Sequence, residues 1–430
     1  MNSNSLRYEN IGTFLYSKKK IGYYKITQKG MKIIDKLINN ESDFSEDENK
    51  IIEEYGLISS FKIIDNRGKS KRSLYSPLEI YFDYTNCCNL TCEHCYNRDH
   101  LGFTTMSEEN VYNIIKEMYN LGIERLHLAG GEPTINKKGI KNYIKTAHDF
   151  GIVTSMATNA ILLDEELCKF LLDNEMFAIS ASIDGYNEET NCMKRGTGNF
   201  EKAVNGVKCL VDLKRRYNYN TEICIKPIFE TTTKEDWFYK MTEMAIELGV
   251  DKIKFSNPER SLYHEQGHYE KEKEQYYNNL KVISDIKRKY KNQISILCVN
   301  NPILNCYEIG VEGMHGCIGG QELLTINPDG RITPCLMNDY LLGNYYDYKS
   351  IEAFLSTTVL DEYAKKVDNA ECYSCTYYNK CRGGCQVRKI NKHGEICGID
   401  PLCPKDLIPL GKDSFENDGY FDFICVSHTL

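Results

Sequence analysis

The chain has 430 residues, 27% of them charged, and a formal net charge of −8. This length exceeds what one hydrophobic core usually organises, so we expect two or three domains. The acidic balance disfavours a nucleic-acid-binding protein, because phosphate binding relies on a basic surface. The polar N-terminus has no signal-like stretch, and no apolar run reaches the about 20 residues of a membrane span. We therefore expect a cytoplasmic protein without membrane contact.

Residues 1–64 predict a small α+β domain. The stretches 11–17 and 21–27 are typical of a hairpin, and an amphipathic helix follows. A second helix is predicted to begin near Ser45, where the acidic residues that follow suit its positive end. Residues 65–77 have no periodicity and are predicted to be a linker.

Residues 78–300 alternate short apolar stretches with amphipathic helices. Alternating strands and helices indicate parallel βα units, and right-handed crossovers would curl six of them into a partial barrel. Chemistry on βα barrels takes place at the carboxyl ends of the strands, so the functional site is expected there. The six predicted strands lie at 78–85, 125–129, 152–157, 177–183, 221–229 and 252–256.

The alternation stops near residue 300, and cysteine, glycine and turn residues dominate up to residue 404. The chain contains 19 cysteines, an odd number that argues against complete pairing. Thiols in a reducing compartment rarely form disulfides, so dense clusters predict metal binding. We expect residues 301–404 to form a domain held by metal more than by a core. Residues 405–430 form a C-terminal tail without a recognisable pattern.

The first cysteine cluster follows the first barrel strand directly. Cys88, Cys92 and Cys95 are spaced C-x3-C-x2-C. Three thiolates can hold a [4Fe–4S] cluster and leave one iron open to a small molecule. A zinc site with His94 as the fourth ligand is the alternative.

This spacing after the first strand of a βα barrel resembles the radical S-adenosylmethionine (SAM) superfamily. The resemblance implies that the open iron is chelated by the amino and carboxylate groups of SAM. It also implies that one electron from the cluster splits the sulfonium bond. The resulting 5′-deoxyadenosyl radical then takes hydrogen from an unactivated carbon, chemistry that belongs to the cofactor.

The resemblance extends to segments at the ends of the next strands. It implies that Glu132 and nearby backbone of the GGEP motif meet the SAM amino group, and that Arg195 pairs with the SAM carboxylate. Ser182 and Asp184 are expected near the ribose or methionine part, and Tyr96 beside the adenine. The SAM contacts implied in this way are Tyr96, Gly130, Gly131, Glu132, Asn159, Ser182, Asp184 and Arg195.

A second set of seven cysteines resembles the SPASM domain, which carries auxiliary [4Fe–4S] clusters in radical SAM enzymes. The resemblance implies three clusters in all, one that binds SAM and two that are auxiliary. A pair of zinc ribbons is the alternative, but neither half has the paired C-x2-C knuckles that ribbons need. The ligands implied are Cys317, Cys335 and Cys385 for the nearer auxiliary cluster, and Cys372, Cys375, Cys381 and Cys403 for the farther one. Cys306 completes the nearer cluster, or one iron stays open for a substrate thiolate.

The N-terminal hairpin and helices resemble the winged-helix-like element that binds leader peptides in enzymes acting on ribosomally made peptides, by adding a strand to a sheet edge. We therefore expect an α/β fold, with this N-terminal domain, a partial (β/α)6 radical SAM barrel and a C-terminal SPASM domain. The function expected is a peptide maturase that installs thioether crosslinks between a cysteine sulfur and an acceptor carbon. Its expected partners are a precursor peptide with a leader and an electron donor such as flavodoxin or ferredoxin.

Several alternatives share this build. Related maturases form carbon–carbon crosslinks or invert stereocentres, and haem-pathway decarboxylases have the same domain order. Sulfatase-type formylglycine maturases carry an Asp after the second SPASM cysteine, whereas Leu336 stands there in this chain. A non-catalytic metal-binding regulator that places residues 1–64 on DNA is disfavoured by the net charge and by the intact motifs.

Overall fold

The computed structural model describes residues 4–257, 269–299, 316–367, 370–375, 378–403, 405 and 421–424. These residues form two sheets, one of five strands and one of ten. Within them, none of the helices combines the length and the apolar character needed to cross a bilayer.

The N-terminal unit is an α+β structure whose predicted hairpin is confirmed. The sequence did not predict the first and last strands of this unit. One precedes the hairpin in the chain, and the other follows the second helix. The predicted helix start is also confirmed, because Ser45 and Glu48 cap it reciprocally through their side chains and backbone amides. Its elements are β1 (Asn4–Glu9), β2 (Gly12–Ser17), β3 (Gly22–Ile26), α1 (Gln28–Ile38), α2 (Glu46–Tyr55) and β4 (Phe61–Asp65).

The central region is the predicted parallel barrel, and all six predicted strands are present. The strands lie side by side in chain order and all pair in parallel. A seventh parallel strand, which no pattern in the sequence predicted, extends the sheet beyond them. The elements are β5 (Glu79–Asp83), α3 (Glu108–Leu121), β6 (Arg125–Ala129), α4 (Lys137–Asp149), β7 (Val153–Thr158), α5 (Glu165–Asp173), β8 (Ala178–Ala181), α6 (Glu188–Arg195), α7 (Phe200–Tyr217), β9 (Glu222–Ile225), α8 (Glu235–Leu248), β10 (Lys252–Ser256), α9 (Tyr269–Lys289) and β11 (Ser295–Val299).

The helices around the barrel follow from the periodicity of the sequence. In α3, Ser107 caps the N-terminus by accepting a hydrogen bond from the Asn110 amide, and Gly122 ends the helix in a left-handed conformation. The apolar stripe of this helix is fully buried against the sheet. Capping and burial therefore agree on where the helix lies.

The C-terminal region continues the barrel sheet. Its first strand pairs in parallel with β5, on the edge opposite β6. The expectation of a domain with little core is corrected here, because Ile326, Phe354 and Tyr363 are buried in the same hydrophobic core as the barrel. The elements are β12 (Leu323–Ile326), β13 (Arg331–Thr333), β14 (Gly343–Asn344), α10 (Tyr345–Tyr348), α11 (Ile351–Leu355), α12 (Val359–Val367), α13 (Tyr378–Cys381) and α14 (Gln386–His393).

The tail contributes one strand, β15 (Phe421–Ile424), to the N-terminal sheet. It pairs antiparallel with β3, which gives that sheet the order β15-β3-β2-β1-β4. No pattern in the sequence indicated this pairing between the two ends of the chain.

The N-terminal unit docks at the amino ends of the barrel strands. The buried Arg7 guanidinium donates to the carbonyl oxygens of Pro77 and Gly122, at 3.0 and 3.1 Å. The Tyr23 hydroxyl donates to the Leu78 carbonyl and accepts from the Glu124 amide. These barrel residues immediately precede β5 and β6, so the unit lies at the end of the barrel opposite the strands' carboxyl ends.

Candidate active site

One cavity of about 250 Å³ opens at the carboxyl ends of the barrel strands. Loops that follow β5 to β10 supply most of its wall, and the C-terminal region closes it from the side. Because parallel strands bring their carboxyl ends to one edge of the sheet, segments far apart in the chain meet here.

The three cysteines of the first cluster all line this cavity. The Leu90 amide donates a 3.4 Å hydrogen bond to the Cys88 sulfur, which helps to fix the loop around the thiols. Burial raises the pKa of Cys88 to about 11 and also raises that of Cys92. These thiols therefore keep their protons at neutral pH unless a bound metal displaces them.

The donor set fits an iron–sulfur cluster better than a single zinc ion. Within the described residues, no three His, Cys, Asp or Glu side chains converge closely enough to hold one metal ion. In a [4Fe–4S] cluster each thiolate binds a different iron, and three thiols that line one cavity suit this arrangement. The His94 ring, the fourth ligand of the zinc alternative, instead lies 3.2 Å from the carboxylate of Asp184.

The GGEP loop docks directly on the cysteine loop. The Gly131 amide donates to the Thr85 carbonyl at 2.8 Å, and the Glu132 amide donates to the Cys87 carbonyl at 2.7 Å. A Cβ atom on Gly131 would lie 2.0 Å from the Cys87 oxygen, and one on Gly130 would lie 2.3 Å from the Thr85 oxygen. Only glycine permits this approach, so the two glycines hold the cysteine loop in place.

The Glu132 side chain is buried and joins two strand ends. Its carboxylate accepts hydrogen bonds from the amide and hydroxyl of Thr134, at 3.0 and 2.5 Å. It also accepts from the Thr158 hydroxyl and the Asn159 amide, both at 2.7 Å. The carboxylate therefore fixes the loops after β6 and β7, and its expected contact with the SAM amino group stays a prediction.

Three other expected SAM contacts also line the cavity. The Asn159 amide group donates to the Asn89 side chain at 2.7 Å, which ties the end of β7 to the cysteine loop. The Tyr96 hydroxyl donates to the Gly130 carbonyl at 3.4 Å. Ser182 is anchored through its own backbone amide, which donates to the Thr158 carbonyl at 2.8 Å. The structure brings these residues together, and their contacts with SAM remain expectations.

Asp184 and Arg195 have different places in the site. Arg195 lines the cavity, whereas Asp184 does not line it and is fully buried next to Arg195. The Arg195 Nε lies 2.5 Å from Asp184 Oδ2, and the Ile228 amide donates to Asp184 Oδ1 at 2.7 Å. Burial alone would raise the pKa of Asp184, but Arg195 and then His94 hold it below its ordinary value. The Arg195 Nη1 also lies 3.9 Å from the Cys92 sulfur.

Sequence reasoning missed several residues of the cavity wall, notably Tyr81, His127, Lys226 and Asn257. The His127 ring lies against the Tyr81 ring and 2.8 Å from the Ser155 hydroxyl, and burial lowers its pKa well below the ordinary value. Burial, and then the nearby Lys254, lower the pKa of Lys226 to about 8. The alternation of inward and outward side chains was the signal available for Tyr81, His127 and Lys226, which lie in predicted strands, whereas Asn257 directly follows β10.

The structure brings the two predicted groups of C-terminal cysteines together separately. Cys317, Cys335 and Cys385 line the same cavity as the first cluster, and all three lie near enough to Tyr363 to raise its pKa, which burial raises most. The other group meets around Cys372, whose pKa is raised by burial and then by its three neighbours. Those three neighbours are Cys375, Cys381 and Cys403. Cys306 lies outside the described residues, so both readings of the nearer cluster stay open.

Asp400 connects the two cysteine groups. Its carboxylate accepts a 2.6 Å hydrogen bond from the Cys385 amide, and its carbonyl accepts from the Cys403 amide at 2.8 Å. The fully buried Arg388 binds both carboxylate oxygens, at 2.8 and 2.6 Å. A Cβ atom on Gly384 would lie 2.3 Å from this carboxylate, so the turn before Cys385 requires glycine.

Comparisons with known proteins agree with this site. Residues 83–227 match the Radical SAM superfamily, and residues 317–382 match the SPASM iron–sulfur cluster-binding domain. The mycofactocin maturase MftC of Mycolicibacterium smegmatis is 23% identical over 344 residues, which cover 77% of this chain and 84% of the relative. The cysteine-type anaerobic sulfatase-maturating enzyme of Clostridium perfringens is 26% identical over 349 residues, which cover 74% of this chain and 90% of that enzyme.

The fold also has a close solved counterpart. The crystal structure of Streptococcus suis SuiB bound to precursor peptide SuiA superposes with a TM-score of 0.69 at 16% identity, covering 93% of this chain and 98% of that one. Motif order, cavity and matched domains agree. We conclude that the chain combines a radical SAM domain with a C-terminal SPASM iron–sulfur domain and is a SAM-dependent enzyme.

Proposed function

We propose that this enzyme is a peptide maturase that installs a thioether crosslink between a cysteine sulfur and an acceptor carbon in a ribosomally made precursor peptide. Two observations support a peptide substrate. The matched relatives include proteins described as maturases, and the shared fold includes an enzyme crystallised with a precursor peptide. We further propose three [4Fe–4S] clusters, with electrons delivered by a donor such as flavodoxin or ferredoxin.

The observation that carries the thioether proposal is the shared cavity. Cys88, Cys92 and Cys95 and the three cysteines of the nearer auxiliary group line the same cavity. In the described part of the C-terminal region, three cysteines line that space, one fewer than the irons of a [4Fe–4S] cluster. A peptide thiolate held there would lie in the same cavity as the carbon to be oxidised, which is the arrangement that sulfur–carbon bond formation needs.

The cavity wall suits this reaction. When bound, SAM and the reduced first cluster would remove a hydrogen atom from an unactivated carbon, and the auxiliary clusters would accept the second electron that is released when the peptide sulfur joins that carbon. Under this proposal the chain's own residues would hold SAM through the loops at Glu132 and Arg195. Apolar side chains such as Leu90, Ile228 and Val387 line the same space and limit the entry of water, which would quench reactive species.

Leu336 supports the thioether reading over formylglycine formation. This residue lines the cavity directly after Cys335, where sulfatase-type maturases carry an acid that acts as a base. An apolar side chain cannot accept a proton at this point, so the chain lacks that base at this position. Thioether formation has no need of an acid here if the peptide thiol loses its proton on binding to iron.

The N-terminal unit is the proposed leader-binding domain. Its five-stranded sheet and two helices suit recognition of an extended peptide at a sheet edge. The unit docks at the amino ends of the barrel strands, through Arg7 and Tyr23. A bound leader would therefore have to pass along the barrel wall before the core peptide enters the cavity.

The test is mass spectrometry of candidate precursor peptides after anaerobic incubation with cluster-loaded enzyme, SAM and a reductant. A loss of two hydrogens together with protection of one cysteine from alkylation is the result expected for a thioether. A loss of two hydrogens with all cysteines still alkylated would instead indicate a carbon–carbon crosslink. An unchanged mass with deuterium uptake from solvent would indicate epimerisation. Either of the last two results would refute the thioether proposal.

A further inference from the structure

The C-terminal strand β15 covers the outer edge of β3. Its four residues pair antiparallel with four residues of β3. The register places Phe421 opposite Ile26 and Ile424 opposite Tyr23. On its other side β3 pairs with β2. The main-chain groups of β3 are therefore engaged on both sides, and one of those sides is closed by a strand from the far end of the chain.

The opposite edge of this sheet is restricted by the barrel. That edge is β4, whose Lys62 ammonium lies 3.4 Å from the centre of the Tyr119 ring on α3. Two residues further along the strand, the Ile64 side chain packs against Gly122 at the end of α3. The β3 edge, by contrast, is closed by β15, which belongs to the C-terminal tail and not to the barrel. It is therefore the edge at which one strand can be exchanged for another.

A strand edge of this kind can bind peptides of many different sequences. Peptides that add to a sheet edge are held by main-chain hydrogen bonds, while side-chain pockets supply specificity. If β15 left, the N–H and C=O groups on one side of β3 would lack partners, and an extended segment would satisfy them. Tyr24 and Ile26 of β3 are buried in the core of the N-terminal unit, so the acceptor strand itself is held firmly.

We propose that β15 occupies the binding site of the precursor peptide, and that an extended segment of that peptide displaces β15 and pairs with β3 in its place. The identity of the displacing strand rests on the proposed function, which makes the substrate a peptide. The tail thus acts as an intramolecular competitor. A peptide therefore binds the N-terminal sheet stably only if it pairs with β3 more strongly than the tail does.

The competition has a predictable size. A tethered strand is present at an effective concentration in the millimolar range, and a competing peptide binds only the fraction of molecules in which the tail is released. Releasing the tail should therefore tighten peptide binding by about tenfold or more.

The first test measures peptide binding at the β3 edge directly and uses the full chain. Phe423→Pro should release β15, because proline cannot donate to a strand ladder, and Asp422→Pro provides a second variant because adjacent residues differ in hydrogen bonding. Phe423→Tyr is the matched control, since it keeps the amide and the strand propensity. The probe is a fluorescein-labelled peptide with the sequence of residues 419–430, and binding is followed by fluorescence anisotropy. At least one proline variant should bind the probe about tenfold or more tighter than wild type and Phe423→Tyr. Equal affinities in all four proteins would overturn the proposal.

The second test uses the precursor peptide that the mass-spectrometric experiment identifies. The proline variant that binds the probe should show a lower KM for this peptide and an unchanged kcat, whereas Phe423→Tyr should match wild type. An unchanged KM in that variant would refute displacement by the substrate. Probe binding needs no turnover, so failure of the proposed function would appear as absent peptide modification with the probe ranking intact. Failure of the present inference would appear as equal probe affinities with modification intact.

Discussion

The Arg195 guanidinium and the Asp184 carboxylate form a 2.5 Å ion pair, with the arginine facing the cavity and the aspartate fully buried next to it. The same carboxylate lies 3.2 Å from the His94 ring and accepts a hydrogen bond from the Ile228 amide. Asp184 therefore acts on the site through Arg195, by holding its charge near the Cys92 sulfur. It is a positioning residue, and Arg195 is the one available to bind an anion.

Replacing Asp184 with Asn should weaken SAM binding and lower the stability of the enzyme. Breaking a buried ion pair leaves Arg195 uncompensated, which typically costs about 3–5 kcal/mol. The measurements are equilibrium dialysis with labelled SAM and the unfolding midpoint of the cluster-loaded protein. Asp164→Asn is a matched control, because Asp164 is half-exposed and caps α5 as Asn also can. If both variants behave like wild type, Asp184 does not position Arg195.

Gly131→Ala should disrupt the site although it adds only one methyl group. The new Cβ would lie 2.0 Å from the Cys87 carbonyl oxygen, so the GGEP loop and the cysteine loop could not stay in contact. We expect loss of the first cluster, seen as a lower iron content and little 5′-deoxyadenosine formed from SAM. Gly102→Ala is the control, because its nearest neighbour is the Asn86 side chain at 3.6 Å. Normal iron content in Gly131→Ala would show that the two loops can separate without harm.

Asp400→Asn should remove the auxiliary clusters while sparing the first one. The substitution leaves the buried Arg388 without its anion and weakens the hydrogen bond to the Cys385 amide, and Cys403 lies three residues further on. Iron content should fall towards that of a single cluster, while SAM cleavage without peptide modification persists. Asp339→Asn, at an exposed acid of the same region, should keep full iron content. Retention of all clusters in Asp400→Asn would contradict the connecting role.

Lys226→Met should stabilise the protein in a pH-dependent way. Burial lowers the pKa of Lys226 to about 8, whereas a lysine in an unfolded chain titrates near 10.4. Between these values the unfolded state binds more protons, so the stability of wild type should rise with pH through this window. Below pH 8 the variant should be more stable than wild type by up to about 3 kcal/mol, and above about pH 10 the difference should vanish. Unfolding midpoints at pH 7 and 10 measure this; a constant difference would exclude a titrating lysine.

The precursor peptide should need a minimum spacing between its leader segment and its modified residue. The N-terminal unit and the cavity lie at opposite ends of β5, a strand of five residues, or about 17 Å at 3.3 Å per residue. An extended chain covers at most about 3.6 Å per residue, so at least about five residues must separate the two segments. Peptides with shorter spacers should bind and remain unmodified in the mass-spectrometric assay. Modification of a peptide with a two-residue spacer would exclude leader binding at the β3 edge.

Local sequence patterns were sufficient for much of this architecture. The six barrel strands follow from apolar runs between amphipathic helices, and α3 follows from Ser107, its apolar stripe and Gly122. The cysteine spacing predicted where both groups of thiols lie, because short gaps constrain the path of a loop. The GGEP glycines were also recognisable, although the structure adds that the backbone they approach belongs to the cysteine loop.

Contacts between distant segments were beyond the reach of those patterns. The pairing of β12 with β5 and of β15 with β3 depends on the whole fold, since each involves a short strand with no distinctive sequence of its own. The sequence could not show that Asp184 and Arg195 have different roles, because burial decides which of the two side chains faces the cavity. Lys226 and His127 looked like ordinary strand residues until closure of the barrel turned them inward.

The pairing of β12 with β5 affects how this enzyme could be recombined. The strand that leads into the first cysteine loop has a barrel strand on one side and a strand of the C-terminal region on the other. A chimera joined near residue 300 would replace one of the two neighbours of β5 and so disturb the loop that begins at its end. Grafting a foreign auxiliary domain onto this barrel therefore demands a matched edge strand as well as matched cysteines, which gives the two regions a reason to be inherited together.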